Sequence, residues 1–113
     1  MLARKIAIPI SEDKMSGHFG HCEYFMFFEV QNDKIINQTK SIPPPHKQGS
    51  YPLWLAENKV TEIIVNGIGQ RAIDILQDKK IKYHIGVDID FPQILVSKLI
   101  EGTIETNINL CDH

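Results

Sequence analysis

The sequence predicts one α/β domain, a mixed sheet of about five strands with helices on both faces. Apolar runs with strand patterning occur at 5–10, 24–30, 34–39, 61–66 and 81–85. Segments with helical patterning occupy 50–58, 70–80 and 91–101. Their order, three strands and then alternating helices and strands, demands crossover connections and so parallel neighbours beside an N-terminal hairpin.

Lys5-Ile6-Ala7-Ile8-Pro9-Ile10 is apolar on both faces, which predicts a central strand, ended by Pro9 and the polar run Ser11-Glu12-Asp13-Lys14. In the next strand Tyr24, Met26, Phe28 and Val30 point one way and Phe25 and Phe27 the other, so its middle is covered twice. The turn Gln31-Asn32-Asp33 leads to Lys34–Thr39 as its antiparallel partner. Pro43, Pro44 and Pro45 cannot continue a ladder and stiffen a surface loop carrying His46. A short helix follows, with Ser50 as N-cap, Pro52 in its first turn and Asn58 at its end. Thr61–Asn66 runs through Gly67-Ile68-Gly69 into a helix that buries Ala72, Ile73 and Leu76 and closes with Lys79 and Lys80. Ile81–Ile85 alternates as a half-exposed strand, and Asp90 caps a last helix, Phe91 to Glu101, stopped by Gly102. Residues 1–102 thus form the domain, and 103–113 a flexible tail carrying Cys111-Asp112-His113.

At 113 residues the chain can bury about two-thirds of its unfolded surface, enough for a core without staples. A net charge of -2 offers no field for nucleic acid or anionic lipid, and no apolar segment is long enough to span a membrane. With no signal peptide, the expected location is the cytoplasm, where Cys22 and Cys111 stay reduced and are better suited to metal ligation than to a disulfide. Monomer and homodimer are both open.

Metal-capable side chains concentrate in Ser16-Gly17-His18-Phe19-Gly20-His21-Cys22, just after the first strand. Thiolate and neutral imidazole suit zinc, copper and iron–sulfur chemistry. His18 and Cys22 fall on one side of an extended chain and His21 on the other, and Gly17 and Gly20 free the loop to turn all three inward. With His46, Cys111 and His113 they make a ligand set, Cys22 supplying the main thiolate. Taken singly, each also reads blandly: Cys22 as a small buried hydrophobe, the histidines as solvated loop residues.

Gly67-Ile68-Gly69-Gln70-Arg71-Ala72 matches G-x-G-x-x-A after a strand, with Asp88 downstream as in dinucleotide sites, yet it arrives too late in the chain for a dinucleotide fold. Gly67, Gly69, Gln70 and Arg71 can instead present a helix N-terminus and a cation to an anionic cofactor. The central strands hold no carboxylate cluster for metal-dependent nuclease chemistry. Cys22 with His21 lacks an orienting acid for nucleophilic catalysis. Trp54, Phe25 and Phe27 have no basic groove beside them and read as core.

Four stretches then carry a family likeness in order along the chain: Gly17-His18-Phe19-Gly20-His21-Cys22-Glu23-Tyr24-Phe25; Pro44-Pro45-His46-Lys47-Gln48-Gly49 with Pro52-Leu53-Trp54-Leu55-Ala56; Asn66-Gly67-Ile68-Gly69-Gln70-Arg71-Ala72; and Cys111-Asp112-His113. They resemble the dinitrogenase iron-molybdenum cofactor-binding family of nitrogenase accessory proteins. The resemblance implies a small ribonuclease-H-like domain that binds a metal–sulfur cofactor, an iron-molybdenum cofactor or an iron–sulfur cluster, rather than catalysing a reaction. It also implies cofactor-assembly proteins as partners. A zinc-binding or regulatory domain using the same ligands is the alternative, and a dinucleotide-binding module a lesser one.

Overall fold

The computed structural model describes residues 3–45 and 49–106. It is organised about β1 (Arg4–Ser11), whose Ile6, Ala7, Ile8 and Ile10 are fully buried. Side chains alternate across a strand, so these residues feed two separate cores. Ala7 joins one, and Ile6, Ile8 and Ile10 join the other. A short β2 (Lys14–Met15) folds back on the end of β1, and β3 (Tyr24–Gln31) and β4 (Lys34–Ser41) extend the sheet antiparallel on one side. On the other side β5 (Glu62–Ile64) and β6 (Lys82–His84) run parallel. The path is β4-β3-β1-β5-β6 with β2 beside β1, the mixed, ribonuclease-H-like sheet that the sequence leads one to expect.

Helices cover both faces. Those of α1 (Ser50–Glu57) and α2 (Gln70–Asp78) bury Tyr51, Leu55, Ile73 and Leu76 in the first core. From α3 (Pro92–Glu101), Leu95, Val96 and Leu99 enter the second. Phe25 and Phe27 of β3 face the first core, Phe28 and Val30 the second.

Several local expectations are corrected. Pro9 does not end β1: the last pairing with β5 is Ala7 with Ile63, so its missing N–H falls where β5 asks for no donor. The polar run after Ile10 is interrupted by β2, whose Met15 is buried. Ser50 is the first residue of α1 and not its cap, because Gly49, at φ 78, takes that position. Phe91 precedes α3 as N-cap, and Asp90 acts one step earlier, its Oδ1 accepting the Phe91 N–H at 2.7 Å. The strands expected at 61–66 and 81–85 are also shorter, ending at Ile64 and His84. Beyond α3, the Thr103 N–H bonds to Lys98 O at 2.9 Å and Ile104 packs on the second core.

At the amino end of β5 sits a buried carboxylate. Glu62 is 4% exposed and accepts two bonds from Arg4, Nε at 2.7 Å and Nη2 at 2.9 Å, with His84 Nε2 3.1 Å away. Burial alone would raise its pKa, but Arg4 foremost, then His84, holds it down at about 2. The group therefore stabilises the fold fully above the ordinary carboxylate range and loses that contribution as pH falls from about 4.5 toward 2. Glu62→Gln is expected to cost about 2 kcal/mol at pH 7, the scale of a charge-assisted bond whose Arg4 partner can still reach water. Urea titrations of both proteins check this, and the gap between them should shrink as pH approaches 2.

Candidate functional site

The loop after β2 crosses β1 near its carboxyl end. Ser16 N–H reaches Pro9 O at 2.7 Å and Glu23 N–H reaches Ile10 O at 2.8 Å. Consecutive carbonyls of a strand point to opposite edges, so the loop enters on the β5 side and leaves on the β3 side. In between it meets the turn that follows β5. Phe19 N–H donates to Gly67 O at 3.0 Å and Gly67 N–H to Gly17 O at 3.2 Å, making a parallel bridge between His18 and Gly67. The His18 loop and the turn after β5 are thus joined.

Within the loop, His21 N–H closes a turn on His18 O at 3.2 Å. Phe19, 5% exposed, turns inward and packs edge-on against Phe25 and Tyr51, with ring centroids 5.6 Å and 6.0 Å apart. Trp54 lies on Phe25 and Phe27, so these aromatics form core, as expected. This layer fixes the loop from below and leaves His18 and His21 exposed above, their rings edge to face at 6.2 Å.

The loops enclose an open groove of about 420 Å³, with Gly17 to His21 on one wall and Asn66 to Gly69 on the other. No carboxylate among the described residues lines it. Asn66 is held by its Nδ2 donating to Val87 O at 2.9 Å. Gly69 is the N-cap of α2 and has no side-chain cap bond, so the helix begins at the groove. Amides and dipole at such an end favour negative charge.

Among the expected site residues, His18, His21, Gly67 and Gly69 line this groove. Gln70 and Arg71 are exposed in the first turn of α2 beside it, Gln70 bonded to Asp74 at 2.9 Å. Cys22 is half-buried against the first core and is not among the lining residues. Burial pushes its thiol up to about 11, outweighing a backbone bond at Ile10 that pulls it down. Tyr51 is raised as well, by burial and then by Cys22. His46, Cys111 and His113 lie outside the described residues, among which no three His, Cys, Asp or Glu side chains gather as a metal site.

Three contributors escaped the sequence reading. Ser16, 5% exposed, sits under both histidines; Phe19 and Tyr51 anchor the loop. An aromatic inside a glycine-broken polar loop is the signal that marks Phe19. The glycine motif also acquires a different reason. A Cβ on Gly67 would lie 2.9 Å from Gly17 O, so the tight approach is to the neighbouring loop. That contact accounts for the glycine without a pyrophosphate.

The family model described as dinitrogenase iron-molybdenum cofactor matches residues 3–102. The uncharacterized protein MJ0580 of Methanocaldococcus jannaschii is 33% identical over 90 residues, 75% of this chain and 71% of that protein. Among solved structures, PH0822 superposes with a TM-score of 0.87 at 23% identity, over 96% of this chain and 99% of its own. The apo form of the orange protein from Desulfovibrio gigas gives 0.72 at 17% identity, over 92% of each chain. At these identities the structural likeness establishes a shared fold. No helix among the described residues is long and apolar enough to cross a membrane.

Two glycine substitutions test the joined loops. Gly67→Ala should destabilise by about 1–3 kcal/mol, the usual cost of overpacking against backbone. At Gly69 nothing lies within 4 Å of an added Cβ, so Gly69→Ala should stay within about 0.5 kcal/mol of wild type. Denaturant melts of the two variants check the contrast.

Proposed function

This chain belongs to the dinitrogenase iron-molybdenum cofactor family, and we propose that its groove binds and carries a metal–sulfur cofactor, of the iron-molybdenum or iron–sulfur type, without catalysing a reaction on it. The observation that carries the proposal is the groove itself. Two imidazoles and the start of α2 border a space of about 420 Å³ that no carboxylate among the described residues lines. Metal–sulfur cofactors are bulky and anionic, and their outer atoms take imidazole nitrogen or N–H donors. An open rim beside such donors suits loading and release better than turnover.

In this reading His18 and His21 make the principal contacts, and the first turn of α2, with Gln70 and Arg71, supports the negative charge. Cys22 becomes a ligand only if the cargo displaces the proton that burial keeps on its thiol. His46, Cys111 and His113 are further donors the chain can bring to the same rim. Cofactor-assembly proteins would deliver and collect the cargo in the cytoplasm. The zinc-binding alternative shares the imidazoles, but a closed zinc site takes four ligands and would need donors from beyond the described residues.

Anaerobic purification with metal and sulfide analysis separates these readings. The proposal expects a coloured protein with iron or molybdenum and acid-labile sulfide; a colourless protein with one zinc per chain would favour the alternative. The paired substitution His18→Ala with His21→Ala should weaken cluster uptake at least about tenfold, the scale of one lost ligand contact. Cys22→Ala should change it less than threefold, about 0.6 kcal/mol. The reverse order would move the site to the thiol.

A further inference from the structure

Ser16 is 5% exposed, in a loop whose neighbours Asp13, Lys14, His18 and His21 are exposed. Its Oγ lies 3.1 Å from His18 O, 3.1 Å from His21 O and 3.2 Å from His18 N. The hydroxyl accepts the His18 N–H and has one proton to donate, which the two carbonyls share. Its own backbone N–H is tied to Pro9 O in β1 at 2.7 Å. One side chain, anchored to the central strand, thus gathers the main-chain groups of both histidines that line the groove. The His18–His21 turn is also closed by His21 N–H to His18 O at 3.2 Å.

We propose that Ser16 is the positioning residue of the cargo groove: its buried hydroxyl fixes the backbones of His18 and His21 so that both imidazoles stand on one wall at a set spacing. This rests on the cargo-binding reading of those histidines, and it gives that reading a mechanism. Without that anchor the backbone of a glycine-flanked loop samples more conformations, and it would have to be ordered on binding. Alanine at 16 removes the hydroxyl, so the His18 N–H and the His21 carbonyl lose that partner while His18 O keeps only the His21 N–H, and the turn loosens. Cysteine keeps the volume with a weaker donor and should fall between.

Two readouts on the full chain test this. In the metal-free protein, three-bond couplings report the χ1 rotamers of His18 and His21. Wild type should show one rotamer for each, Ser16→Ala averaged couplings, and Ser16→Cys an intermediate pattern. Tetrathiomolybdate, an anionic molybdenum–sulfur compound, serves as the binding probe, and its Kd should rise about tenfold in Ser16→Ala. Leu99→Ala, a destabilised control in the other core, should alter neither readout. Unchanged couplings and Kd in Ser16→Ala would overturn the assignment. If Ser16→Ala does not fold, Ser16→Cys carries the comparison, and wild-type values there would overturn it equally. Should the paired histidine variant bind the probe as tightly as wild type, the cargo reading falls. The rotamer comparison still decides the role of Ser16.

Discussion

The two backbone hydrogen bonds between Gly17–Phe19 and Gly67 are what the rest of the candidate site depends on. They join a loop leaving the β1–β2 hairpin to the turn that follows β5, and so give one groove two walls. The join needs a residue without Cβ at 67, because Gly17 O occupies the space that Cβ would take. It also needs weight on the loop from below, which Phe19 supplies by packing on Phe25 and Tyr51. Burying one aromatic ring favours this docking by about 2 kcal/mol or more, comparable to the hydrogen bonds it protects.

In the proposed carrier role, that arrangement would resolve a conflict built into any carrier. Donor groups must be exposed to meet cargo, yet exposed glycine-rich loops are disordered by default. Here the loop buries every second element of its chemistry: Ser16 and Phe19 go inward, while His18 and His21 remain outside. Arg4, Glu62 and His84 satisfy one another outside the groove lining and tie together β1, β5 and β6.

Much of the sheet was legible because β1 and β3 are apolar on both faces, a pattern that only a central position explains, and because the helices keep their period. The convergence of the His18 loop and the Gly67 turn follows from strand polarity, since both lie beyond the carboxyl ends of the parallel neighbours β1 and β5. What escaped depends on tertiary partners. A two-residue strand such as β2 has no period to read, and Glu62 looks like a surface acid until Arg4, 58 residues away, is placed beside it. Ser16 looks like any loop serine, since its three partners are main-chain atoms that composition does not encode. Cys22 drew attention by its chemistry, but burial beside the first core, invisible in the local sequence, keeps its proton on.

The proposed role rests on one contact, that of the cargo with the two imidazoles held over the joined loops. Histidine-selective 15N NMR, before and after anaerobic loading with an iron–sulfur or iron-molybdenum cluster, tests it most directly. It predicts that the ring signals of His18 and His21 shift or broaden on loading while those of His84, bonded to Glu62, stay in place. A loaded protein whose His18 and His21 signals match those of the empty one would contradict it.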